Sequence, residues 1–181
     1  MRLPLKIICV CSMVCLSLHF GCSPNDTDLL LEHETVDIKL APKERRADCD
    51  TLVFNCIDYR FAFANQEFLN DTLGLKDNYD HISIPGSIYN LVNPDTREIV
   101  FSKITSSVNF HLIKRVIIIA HKDCGGYGGS SAFGSKVAEE EYLSGDLRKA
   151  REMLIEKYPT LQVELYLEEL TRENVHFEKI H

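Results

Sequence analysis

Two short stretches of the sequence carry side chains able to do chemistry together. In Cys56-Ile57-Asp58-Tyr59-Arg60 a thiol, a carboxylate and a guanidinium occupy alternate positions. Residues two apart in extended backbone project to the same side, so the three can face one cavity. In His121-Lys122-Asp123-Cys124 an imidazole and a thiol stand three apart, followed by Gly125-Gly126. Thiolate and neutral imidazole are metal ligands, and a Cys2His set holds zinc with its fourth position open to water or substrate. A guanidinium beside Asp58 favours the ionised carboxylate. Each group has a plainer reading on its own. A single Cys after a strand is usually a small buried hydrophobe, and Asp58 with Arg60 can be a local ion pair. The metal reading therefore requires the two stretches to lie side by side.

The surrounding pattern supplies elements that could do this. Residues 51–56 form a compact apolar run, and residues 60–73, with Phe61, Phe63, Phe68 and Leu69, suit an amphipathic helix. A second strand is expected at 81–85, stopped by Pro85-Gly86, and a helix at 101–113. Residues 115–120 are β-branched and uncharged after Arg115, as in a central strand of a parallel sheet buried on both faces. A glycine-rich loop (125–134), a helix (138–158) and a strand (162–167) follow. This alternation predicts one α/β domain whose mainly parallel sheet is flanked by helices. Both chemical motifs then fall just beyond carboxyl ends of strands, where open α/β sheets bind ligands.

Cys-x-Asp-x-Arg after the first core strand and His-x-x-Cys after a later one resemble the β-class carbonic anhydrases. Cys56, Asp58, Arg60, His121 and Cys124 complete both patterns, and the resemblance spans about residues 51–167. It implies Zn2+ held by Cys56, His121 and Cys124, with Asp58 and Arg60 as the catalytic dyad. The implied reaction is reversible hydration of CO2 to bicarbonate and a proton by zinc-bound hydroxide. The resemblance also implies a homodimer, and a second state in which Asp58 itself binds the metal. No counterpart of the family's substrate-side Gln is evident.

Two other functions use the same residues. One is a related zinc hydrolase acting on carbon disulfide or carbonyl sulfide; the other is a non-catalytic zinc-binding or sensing module. A purely structural zinc site needs neither Asp58 nor Arg60, which argues against the module. Tyr59 and His81 are candidate proton carriers, alongside buffer. His33, His111, His176 and His181 have no partner at ligand spacing and are expected to face solvent. The charges Glu139, Glu140, Glu141, Arg148, Lys149 and Arg151 are expected to form a solvated helix face.

The N-terminal part reads differently. Arg2 and Lys6 precede an uncharged, mostly apolar run from 7 to 20, ending at Gly21-Cys22. A span needs roughly 20 apolar residues, so the run suits an export signal better than a membrane helix. Gly21-Cys22 resembles the end of a bacterial lipoprotein signal, with Cys22 lipidated. The expected organisation is an export signal (1–22), a polar tether or arm (23–50) and a zinc-binding α/β catalytic domain (51–181). The protein is then expected in the cell envelope, anchored on the periplasmic or extracellular side. Export raises the question of a Cys49–Cys56 disulfide competing with zinc. A net charge of -7, from 20 Lys+Arg against 27 Asp+Glu, argues against a nucleic-acid partner.

Overall fold

The computed structural model describes residues 49–76 and 78–181. The expected export signal, Cys22 and all but the last two residues of the tether lie outside the described residues. Among those described, no helix is long and apolar enough to cross a membrane.

Five strands form one sheet in the order β2-β1-β3-β4-β5: β1 (Thr51–Asn55), β2 (Tyr79–Ser83), β3 (Arg115–His121), β4 (Gln162–Leu170) and β5 (Val175–Ile180). The first four are parallel, and β5 pairs antiparallel with β4. Ile117, Ile118 and Ile119 are fully buried, so β3 is covered on both faces, as its unbroken apolar run requires. Alternation then divides the core. Leu52, Phe54, Val116, Ile118 and Leu165 pack on one face with helices α2 (Tyr89–Val92), α3 (Arg97–Phe110) and α4 (Lys136–Lys157). Val53, Ile117, Ile119 and Tyr166 face the other way and meet Leu69 and Leu75. Leu69 belongs to a π-helical turn (Phe68–Thr72) that continues α1 (Tyr59–Glu67).

Several expected boundaries move. The 60–73 helix divides into α1 and the π-helical turn, and α3 begins at Arg97, four residues before the expected start. Helix α4 begins at Lys136 because Ser135 caps it, accepting a hydrogen bond from the Ala138 N–H. Strand β5 was not expected. Its His176, Glu178 and Lys179 make it a polar edge strand with little apolar signal.

The chain runs from β1 outward to β2 and returns to β3 on the other side of β1. That reversal makes the β1–β3 boundary a topological switch point. Thr51 pairs with Arg115 and Phe54 with Ile118. Continuing this register sets Cys56 level with Ala120, one residue short of His121. Cys49 and Cys56 flank opposite ends of β1, about 20 Å apart at roughly 3.3 Å per residue. A disulfide between them is excluded, since its Cα atoms must lie within about 7 Å.

Candidate metal centre and its flanking ion pairs

With β1 and β3 adjacent, the two motifs meet. Cys56, His121 and Cys124 each bring a donor atom within 4.8 Å of the other two. His121 is 1% exposed and Cys124 is buried with it, while Cys56 is half-buried. His121 Nδ1 donates to the Lys122 carbonyl oxygen at 2.8 Å, because a carbonyl can only accept. The lone pair is thereby left on Nε2, which is buried without a hydrogen-bond partner. A second-neighbour carbonyl that fixes the ring in this way is typical of a metal-ligating histidine. The orphan nitrogen and two thiols fit a zinc ion.

The local electrostatics favour a thiolate. Hydrogen bonding with Cys124 holds the Cys56 thiol well below its ordinary pKa despite burial, helped by His121 and the Gly86 N–H. The Gly86 N–H donates to Cys56 Sγ at 3.4 Å. Burial opposes the imidazolium of His121, but the neighbouring Cys56 leaves the net shift upward. The ring of Phe61 stands against that of His121, with centroids 4.6 Å apart.

Asp58 sits beside this cluster, its Oδ2 3.9 Å from His121 Nε2. It is also the N-cap of α1, where its Oδ1 accepts from the Arg60 N–H at 3.0 Å. The Arg60 guanidinium grips the same carboxylate through Nε (3.0 and 3.1 Å) and Nη2 (2.6 Å). These contacts hold the Asp58 carboxyl below the usual carboxylate range. Arg60 reaches further, from Nη1 to Asp123 Oδ2 at 2.8 Å and from Nη2 to the Asp123 carbonyl at 3.0 Å. The two motifs are thus joined by one guanidinium.

Three features of the site escape sequence reasoning. Asp123 has φ 57°, a left-handed conformation in the loop between the two β3-end ligands. Its N–H donates to Glu139 Oε1 at 2.6 Å, and Glu139 Oε2 accepts from the Ser130 hydroxyl. Glu139 is only 2% exposed, so the expected solvated face is corrected at that position. Nothing in the run Glu139-Glu140-Glu141 marks the first as different. The third feature is a buried pair: Asn65 Nδ2 donates to Glu168 Oε1 at 3.3 Å, while Asn65 Oδ1 and Glu168 Oε2 lack partners. Glu168 is paired with His121 across β3 and β4. Burial pushes its carboxyl up to about 8. A cavity of about 290 Å³ lies beside the cluster, lined by Cys56, Asp58, Asn65, Tyr79 and His81 among others.

The candidate proton carriers separate. Tyr59 is 86% exposed. His81 lines the cavity, its Nε2 2.9 Å from Asn55 Oδ1, and burial lowers its pKa. Tyr127, in the loop after Cys124, is a packing residue: its hydroxyl donates to Asp146 at 2.8 Å and its ring meets Tyr89 and Tyr142 edge-on.

An uncharacterized protein of Rickettsia conorii is 27% identical over 157 residues, covering 78% of this chain and 80% of the relative. Among solved structures, a β-carbonic anhydrase isoform of the protozoan Trichomonas vaginalis matches with a TM-score of 0.51 and 13% identity. That match covers 78% of this chain and 90% of the other. Tetrameric β-carbonic anhydrases of the ascomycete Sordaria macrospora match with a TM-score of 0.51 and 14% identity, covering 73% and 81%. At such identities the likeness is one of fold, and it agrees with the mainly parallel sheet and flanking helices. A family model described as "Putative carbonic anhydrase" matches residues 46–180, and with that match the chain belongs to this carbonic anhydrase-like family.

Proposed function

We propose that the protein is a zinc-dependent carbonic anhydrase, a lyase interconverting CO2 and bicarbonate. The observation that carries this reading is the juxtaposition of a Cys56–His121–Cys124 donor set with an Asp58 carboxylate clamped by Arg60. Cys56, His121 and Cys124 would hold the metal. A zinc ion bound there supplies a Lewis acid that brings the pKa of a water toward about 7.

The remaining steps belong to side chains of the chain itself. Asp58, kept ionised by Arg60, accepts a hydrogen bond from the attacking water and orients it toward CO2 in the cavity. Arg60 also keeps Asp58 from swinging onto the metal, because three contacts to guanidinium nitrogens would have to break. That supports an open site rather than one closed by Asp58. His81, lining the same cavity and held toward its neutral form by partial desolvation, takes up the released proton.

We also propose that the protein is exported and lipidated at Cys22, and that it works as a homodimer. Support for the dimer comes from Ile57, Tyr59 and Phe63, which are 56%, 86% and 73% exposed at the rim of the site. Stopped-flow CO2 hydration on protein of measured zinc content tests the activity. Zinc-loaded protein that leaves the hydration rate unchanged would remove the enzyme reading in favour of a binding or sensing module. Turnover of carbon disulfide or carbonyl sulfide without CO2 hydration would make it the related hydrolase.

A further inference from the structure

A second set of soft and hard donors gathers near the amino ends of β1 and β2, opposite the Cys56 cluster. Cys49 immediately precedes β1 by two residues, Asp80 lies in β2 and His111 is the C-cap of α3. One donor atom from each lies within 4.8 Å of the other two. His111 Nδ1 is 2.7 Å from Asp80 Oδ2 and 2.9 Å from Oδ1. The Cys49 Sγ lies within 4.8 Å of both and donates to the Thr51 carbonyl at 3.6 Å. The Cys49 N–H donates to the His111 carbonyl at 3.1 Å, so the backbone already holds two of the three together. His111 was expected to stand alone in solvent; its partner is 31 residues away in sequence and invisible at ligand spacing.

We propose that Cys49, Asp80 and His111 form a second zinc-class metal site with a structural role. The donors are one thiolate, one imidazole and one carboxylate, all of which zinc accepts. The proton shared by His111 and Asp80 occupies the space a cation would take. Tetrahedral zinc sets its ligand atoms about 3.3–3.7 Å apart, so Asp80 and His111 separate by roughly half an ångström and Cys49 closes in. Such a shift is small for this place, since the His111 side chain is 46% exposed and Asp80 24%. A solvent-open cavity of about 400 Å³, lined by Asp80, Ser107 and His111 among others, borders the cluster. It leaves room for water as the fourth ligand. The metal clips three segments distant in sequence: the entry to β1, strand β2 and the end of α3. It stands about 20 Å from the Cys56 cluster along β1 and uses none of its residues.

The test is metal stoichiometry on the full chain, stripped with chelator and reloaded with zinc, then with cobalt. The parent is expected to hold two equivalents, and Cys49→Ser and His111→Gln one each, with CO2 hydration unchanged in both. In the cobalt form the thiolate charge-transfer absorption of Cys49→Ser falls by about a third, from three Co–S bonds to two. His111→Gln, at an exposed side chain, keeps the test open should Cys49→Ser fold poorly. A parent whose single equivalent survives both substitutions, or variants that still hold two equivalents, would overturn the second site. Neither result bears on the Cys56 cluster, whose own equivalent is read from the variants.

Discussion

Gly126 lies so close to Gly86 that a Cβ on Gly126 would stand 2.5 Å from the Gly86 Cα. The loop after β3 is thus pressed onto the loop after β2, where the Gly86 N–H reaches Cys56 and Gly126 lies two residues past Cys124. Gly126→Ala should push these loops apart, costing about 1–3 kcal/mol as other overpacked sites do and weakening zinc binding. Gly125→Ala is the control, since a Cβ there meets nothing within 4 Å. Thermal melts and zinc affinity of the two variants check this; equal behaviour would contradict it.

Asp58 separates chemistry from metal retention. Asp58→Asn keeps a good N-cap for α1 and leaves all three proposed zinc ligands, yet removes the anionic acceptor. CO2 hydration should drop by about 10²–10⁴-fold, the usual range for a positioned acid or base, with zinc content intact. Arg60→Ala should act in the same direction, because it releases both Asp58 and Asp123. Stopped-flow rates beside metal analysis decide the matter, and full activity in Asp58→Asn would end the proposed mechanism.

Glu168 gives a pH signature. Its carboxyl is held up to about 8 by burial, from an ordinary 4.5. Below the lower value both native and unfolded chains are protonated. Between the two values the unfolded chain loses the proton that the native chain keeps, so stability falls as pH rises and the loss is complete above the upper value. Glu168→Gln should flatten that fall in the zinc-free protein, most visibly midway between the two values. Urea unfolding of parent and variant across this range measures it; parallel curves would refute it.

Phe63 and Tyr59 lie one turn apart on the exposed side of α1. Phe63→Glu should shift the proposed dimer to monomer in sedimentation velocity without altering the melting temperature by more than a few degrees. A parent that sediments only as an active monomer would dispose of the dimer.

Export and lipidation are checked on native protein from its own cell. Mass spectrometry should find residues 1–21 removed and an acyl-modified Cys22. A chain that retains Met1 unmodified would exclude the proposed anchor.

The core strands and the meeting of Cys56, His121 and Cys124 are legible for a common reason: their signals are local. An unbroken β-branched run marks β3, and each ligand motif sits within four or five residues at a strand end. What stayed hidden depends on tertiary distance. Asn65 and Glu168 meet across 103 residues, and Glu139 looks like its two acidic neighbours until α4 docks and buries it. Strand β5 was missed because its outward residues are charged, as an edge strand needs. The boundary of α1 shifted because its last turn widens into a π-helical one, which no spacing rule anticipates.

The double duty of Asp58 bears on how descendants of this sequence would age. Because the carboxylate starts α1 as well as facing the Cys56–His121–Cys124 cluster, a lineage without the proposed reaction would still be selected to keep Asp or Asn there. Arg60 has no comparable hold on the helix: its backbone N–H satisfies the cap whatever the side chain. Without the proposed reaction Arg60 would be kept only for its bridge from Asp58 to Asp123, so its retention says more about that site than the retention of Asp58.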